Sequence, residues 1–224
     1  MYAVRMSTAA PRARLNRDVV VHAAVAHADA HGTEGLTMRR LAAALGVAPM
    51  ALYRHVANRD DLLNGMVDVV FGEIDLPSRE GGWKSAMRRR AVSARAVLVR
   101  HRWAIPLLES RTNPGPANLR HHDAVLDVLL GAGFDSATAT HAFNLLDSYI
   151  FGFVLQETNL PFSGPEELAE VGGAMLEHMP ADEYPHLVKV ATELMASGFD
   201  YAEEFEYGLD LLLDAVARVH ASSA

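Results

Sequence analysis

The stretch TMRRLAAALGVAPMALYRHVANRDDLL, residues 37–63, gathers side chains that can hold a polyanion. Arg39, Arg40, Arg54 and Arg59 offer planar guanidinium forks, which match phosphate oxygens or the O6/N7 edge of guanine. The Tyr53 hydroxyl can bind a phosphate, and Met50 and Ala51 can touch thymine methyls. Other chemistries lack their residues. The chain has no Cys, which removes disulfides and thiolate metal sites. Its 11 His are scattered. Glu183 and His186 have the spacing of a metal half-site, but Pro185 interrupts them and no second Glu-x-x-His exists. Adjacent His121 and His122 point to different sides of a helix. No nucleophile elbow, phosphate loop or dinucleotide fingerprint is present. No metal, cofactor or catalytic residue is therefore expected.

The elements that must position these arginines read as helices, with no hairpin signal anywhere. Asn16 caps a first helix, with Asp18 in its first turn and Val21, Ala24, Val25 and Ala28 as its buried stripe, and Gly32 ends it. Thr37 caps a second helix whose apolar face is Met38, Leu41, Ala42 and Leu45. Gly46 stands where a left-handed residue stops a helix. Pro49 suits the first turn of a third, where its missing N–H would be unpaired anyway. Asn58 caps a fourth, with Asp61 in a capping-box-like place. That helix runs through Met66, Val69, Val70 and Ile74 and stops before Pro77.

Two short helices joined by a three-residue turn leave the second projecting, sized for the major groove of B-DNA. Its outward positions are Met50, Ala51, Tyr53, Arg54 and His55. Arg39 and Arg40 flank it from the preceding helix and Arg59 from just before the next, places that commonly hold phosphates. The same corner can also be plain architecture inside an all-α enzyme or ligand carrier, with its arginines merely solvated.

Residues 1–15 read as a mobile basic arm, 16–76 as a helix-turn-helix domain with its connecting helix, and 83–224 as a larger helical domain. SREGG, near residues 78–82, is the boundary. Long helices follow at roughly 83–100, 102–110, 117–131 and 136–158. A looser acidic stretch punctuated by Pro161, Gly164, Pro165, Pro180 and Pro185 comes next, then a last helix near 200–219. The net charge of −8 hides a gradient. Residues 1–61 carry eight arginines against five acids, and residues 160–224 carry two bases against thirteen acids. A basic end on an acidic body suits a nucleic-acid-facing domain on a self-associating one. No apolar run is long enough to span a membrane, and the N-terminus lacks a signal-peptide core, so a cytoplasmic protein is expected.

The run EGLTMRRLAAALGVAPMALYRHVANRDDLL resembles the DNA-binding domain of the TetR family of bacterial repressors. The matching features are the Gly-Leu-Thr entry, Leu-Ala-x-x-Leu-Gly-Val, Leu-Tyr-x-His-Val and the Asn-Arg-x-x-Leu-Leu exit. The rest resembles the C-terminal domain of the tetracycline-repressor branch, through Trp83, His101-Arg102, Asn113-Pro114-Gly115-Pro116, Gly133-Phe134, Gly152-Phe153-Val154-Leu155 and the closing Phe205-x-x-Gly208-Leu209-x-Leu211-Leu212-Leu213. The resemblance implies an all-α homodimer that binds a palindromic operator and is released by a small effector. It places Pro49 to His55 as the reading helix, Arg39 at a guanine, and Thr37, Met38, Tyr53 and Arg59 near phosphates. Met38 stands where the tetracycline repressors carry a hydroxyl. Arg54 replaces an aromatic residue and implies a different operator. Ala48 is a poor helix cap.

The resemblance also implies an effector pocket among the middle helices. Its apolar candidates are Trp103, Leu107, Leu119, Leu126, Phe143, Phe151, Leu155 and Met175. Its polar candidates are Arg90, Arg111, Asn118, His122, Asn144, Asp147 and Gln156. A mostly apolar cavity with a few placed polar groups suits a small molecule. The drug-metal His of the tetracycline repressors falls on Leu108 and its acidic partner on Gln156, which points away from tetracycline itself. The helices 136–158 and 200–219, apolar over more than a narrow stripe, are expected to join two copies.

Overall fold

The computed structural model describes residues 14–109, 114–160, 171–174 and 176–223. All regular structure there is helical. The helices are α1 (Arg17–His31), α2 (Met38–Leu45), α3 (Pro49–Leu52), α4 (Arg59–Glu73), α5 (Trp83–Arg100), α6 (Ile105–Glu109), α7 (Pro116–Gly131), α8 (Ser136–Asn159), α9 (Pro185–Ser197) and α10 (Tyr201–Ser223). Among the described residues no helix is long and apolar enough to cross a membrane. Residues 1–13 of the N-terminal arm, Arg111 and Met175 lie outside the described residues.

The N-terminal helices begin and end where the short polar residues stand. Asn16 and Asn58 each accept the amide three residues on, at 2.8 Å, and Thr37 accepts that of Arg40 at 3.2 Å. Gly46 is left-handed (φ 66°), and the amides of Gly46 and Val47 return to the carbonyls of Ala43 and Ala42. That is a Schellman closure, and only a residue without Cβ adopts it at no steric cost. Val20, Val21, Ala24, Leu41, Leu52, Val56, Leu63 and Met66 bury the faces between α1 and α4.

Several elements differ from the sequence reading: α6 begins only at Ile105 and α10 runs on to Ser223, and three further differences have a local cause. The projecting helix α3 spans only Pro49–Leu52, and Tyr53 to His55 follow as a turn in which the amides of His55 and Val56 both return to Leu52. Ala48 supplies no side-chain cap, and so short a helix depends on its neighbours. Ile74 caps α4 in extended conformation instead of continuing it. The stretch read as loose contains α9, because Pro185 occupies the first helical turn and starts the helix rather than breaking it.

The larger unit packs α5 against α8 and α10, with α7 against α8 and α4. Its acids have identifiable partners. Arg88 on α5 bonds Glu206 and Asp210 on α10, Lys84 bonds Asp214, and Arg95 holds Glu157 of α8 at 2.5 Å. Part of the C-terminal acidity is thus matched by the basic face of α5.

Candidate nucleic-acid interface and effector cavity

The α2–α3 corner presents an outer surface of Thr37, Arg39, Arg40, Pro49, Met50, Tyr53, Arg54 and Arg59, all exposed. Met50 is 73% exposed, far more than a methionine placed for the core. Among the described residues, Arg39 and Arg54 have no hydrogen bond or ion pair, so both guanidiniums are available to a ligand. Arg40 donates to the Gly35 carbonyl and Arg59 to that of Thr33, which steadies both at the entrance of α2 while leaving their charge unneutralised. Ala51 and His55 are half-buried, and Met38 packs partly against the core.

One basic residue of this domain has a structural task. Arg17 makes a two-pronged bond to Asp61 at 2.7 and 2.9 Å and also donates to the His55 carbonyl. The guanidinium holds the Asp61 carboxyl below its ordinary range. Asp61 in turn accepts the Ala57 amide, so the turn leaving α3 is fixed from α1.

Behind the headpiece, a cavity of about 360 Å³ is lined by Phe71, Leu108, Asn118, His122, Phe143, Asn144, Asp147, Ser148 and Phe151. Six of the residues expected for the effector pocket meet there: Asn118, His122, Phe143, Asn144, Asp147 and Phe151. Leu108, the position matched to the drug-metal His, joins them, and Phe71 and Ser148 were not anticipated. Phe71 matters most among them, because it belongs to α4, and its spacing with Val67 and Val70 reads as ordinary core. The His122 ring packs 4.7 Å from Phe143. His122 Nδ1 donates to the Asn118 carbonyl at 3.0 Å, and the buried Asn118 side-chain oxygen has no partner among the described residues.

The remaining candidates lie elsewhere. Arg90 is buried behind Asp147, to which it donates at 2.5 Å. Leu107 and Leu126 are half-buried against the core, and Leu119, Leu155 and Gln156 are exposed. Trp103 is at the junction with the headpiece, where its indole N–H donates to Asp29 of α1 at 2.6 Å. Asp29 also faces His101 Nδ1 at 2.7 Å, and the other ring nitrogen of His101 faces Glu73 of α4 at 3.1 Å. Burial raises the Glu73 pKa, but hydrogen bonds from His101 and Arg100 outweigh it and hold the carboxyl below its ordinary range. One short segment after α5 therefore grips both α1 and α4.

Comparison with known proteins places both parts. The family described as "Tetracyclin repressor-like, C-terminal domain" matches residues 76–219, and that described as "Bacterial regulatory proteins, tetR family" matches residues 20–66. The HTH-type transcriptional repressor DrrR1 of Streptomyces coeruleorubidus is 32% identical over 221 residues, 95% of this chain and 81% of that protein. The class A tetracycline repressor from transposon 1721 of Escherichia coli is 30% identical over 208 residues, 92% of each chain. The crystal structure of ActR from Streptomyces coelicolor in complex with actinorhodin superposes with a TM-score of 0.75 at 28% identity, covering 93% of this chain and 99% of that one. With unengaged arginines on the corner and repressors matching it over nearly its whole length, the chain is a DNA-binding transcriptional regulator and belongs to the TetR family.

Proposed function

We propose that this chain is a homodimeric, cytoplasmic repressor, without catalytic activity, that releases a palindromic operator when a small molecule fills the cavity beside Phe71. The position of Phe71 carries the reading. It lines the cavity from α4, the same helix whose N-terminus adjoins the reading corner. A ligand there touches the headpiece directly, and linkage requires only that it prefer the form that fits DNA less well. The actinorhodin complex of ActR supports a small-molecule effector.

On the DNA, Arg39 and Arg54 read bases, Met50 and Ala51 meet methyl groups, and Thr37, Tyr53 and Arg59 hold phosphates. His55 and Met38, turned partly inward, set the pose of the corner. Leu145 and Leu155 on α8 and Leu211 and Val219 on α10 are large, apolar and exposed, which supports pairing of these helices across a two-fold axis. Such a dimer would set the two reading corners about 34–36 Å apart, or a multiple of that.

Ultracentrifugation joined to a salt-dependent gel shift on the chain's own upstream DNA tests this. A dimer that binds one palindrome well above random DNA is expected, and Leu211→Glu with Val219→Glu should give folded monomers that bind weakly. A folded dimer with no preference over random DNA overturns the repressor reading.

A further inference from the structure

His101, the first residue after α5, is 3% exposed and meets two helices of the headpiece at once. Its Nδ1 stands 2.7 Å from Asp29 of α1, and its Nε2 stands 3.1 Å from Glu73 of α4. A neutral imidazole has one N–H and one bare nitrogen, so it can donate to only one of these carboxylates. The protonated ring donates to both. The two contacts, taken together, call for the imidazolium.

The Asp29 contact has a second donor behind it, the Trp103 indole N–H at 2.6 Å. The Glu73 contact has a competitor. Arg100 bonds Glu73 through Nη2, and its Nε lies 3.4 Å from His101 Nε2. A ring without a proton on Nε2 keeps Asp29 through Nδ1–H, accepts the Arg100 Nε–H and leaves Glu73 to Arg100 alone. That remaining pair is largely in solvent, where an ion pair contributes little. Charge points the same way. Asp29 from α1 and Glu73 from α4 carry two negative charges against the one positive charge of Arg100 from α5, and the imidazolium supplies the second.

We propose that His101 is a positioning residue for operator binding: its proton latches α4 to the segment after α5, and operator affinity rises as that proton is taken up. This rests on the repressor reading, in which movement of α4 releases the operator. Protonation opposes that movement, and an α4 held in one pose presents its corner already ordered, which costs less on binding. The two arrangements that linkage needs are both present, with Nε2 donating to Glu73 or accepting from Arg100. His121 is not a second source of this dependence. Its Nε2 already accepts from Arg90 Nε at 2.7 Å, and its pKa is pushed down to about 3, by burial first and then by the charges of Arg90 and His122.

The test titrates the full dimer with the chain's own upstream duplex at constant ionic strength, between about pH 6 and pH 8.5, where histidines exchange their proton. Affinity for the palindrome should fall roughly tenfold or more across that range, the size of one lost charge-assisted bond. His101→Gln, which cannot take a proton, should flatten the curve. Glu73→Gln should flatten it as well, because an amide bonds His101 Nε2 whether that nitrogen is bare or protonated. His55→Gln, on the corner itself, should weaken binding and keep the slope. Ring-nitrogen spectra of the histidine-labelled dimer, without DNA, should show His101 with both nitrogens protonated at the acid end, its signals identified by their shift in Glu73→Gln. A flat curve, an affinity that rises with pH, or a bare ring nitrogen at the acid end overturns the proposal. So does a slope kept by His101→Gln and Glu73→Gln but lost in His55→Gln. Should His101→Gln fail to fold, Glu73→Gln and the ring spectra decide. No preference for the palindrome at any pH overturns the repressor reading and this proposal with it, whereas a preference that does not vary with pH overturns this proposal alone.

Discussion

The carboxylate of Asp68, on α4, accepts the backbone N–H of Ala117 at 2.8 Å and that of Asn118 at 3.2 Å. It therefore caps α7, the helix that brings Asn118 and His122 to the cavity, with a side chain from the headpiece's last helix. The capping residue that α7 lacks in its own sequence, where Gly115 precedes Pro116, is supplied from outside.

Asp68→Ala should cost about 1 kcal/mol, the usual price of a lost cap. Gly115→Ala should cost a similar amount for a related reason, since a Cβ at Gly115 would overlap the Asp68 side chain and displace it. The double variant should lose less than the sum, because both changes break one contact. Thermal unfolding of the three proteins checks this, and full additivity contradicts it.

Arg54→Ala should relax sequence preference at a cost of about 1–3 kcal/mol on the preferred site. Arg59→Ala should weaken all sequences alike and lower the slope of log K against log salt by about one. Titrations at several salt concentrations distinguish the two. Identical behaviour would mean that reading and holding are not divided between these residues.

His121 gives the stability a pH dependence with a definite sign. Its folded pKa of about 3 lies below the ordinary value of 6.5, so the unfolded chain binds the proton first as pH falls. The stability due to the neutral ring is fully present above pH 6.5 and is lost progressively below it, down toward pH 3. The melting temperature should fall between pH 7 and pH 5. His121→Asn keeps an acceptor for Arg90 and cannot titrate, so it should show a visibly shallower fall. Parallel curves for the two proteins would refute the assignment.

The Arg95–Glu157 pair is mostly buried, with side chains 18% and 15% exposed. Arg95→Met leaves Glu157 without its counter-charge and should cost roughly 3 kcal/mol. Adding Glu157→Met should restore much of that loss. Denaturant unfolding measures both, and a double variant no better than the single would argue against a charge origin.

The parts of this fold that depend on neighbours in sequence were legible before any coordinates. Asn16, Thr37, Gly46, Pro49 and Asn58 each act within a few residues of themselves, and each marks the helix end expected of it. The corner's exposed arginines were legible for the same reason. Pairings made across the chain were not. Asp29 with His101 and Trp103, Asp68 with α7, and Arg90 with His121 and Asp147 join residues more than thirty positions apart, where periodicity carries no signal. Phe71 has the helical spacing of core, so nothing local marks it, and only the packing of α4 against α7 turns it to the cavity. Helix α9 was hidden by reading Pro185 as a stop.

Phe71 lies near one end of α4 and Arg59 begins the other, roughly 18 Å away at 1.5 Å of rise per residue. A rigid rod of that length turns a small displacement into a larger one. If a molecule wedged against Phe71 tilts α4 by about 5°, its far end swings by about 1.6 Å over this rise. In a two-fold pair both ends swing, in opposite senses, so the gap between the corners changes by about twice that amount, comparable with the reach of a hydrogen bond. A groove-bound helix held by hydrogen bonds cannot follow a shift of that size at both half-sites. In the proposed repressor, the single phenylalanine would be the short arm of a lever whose long arm ends at the DNA.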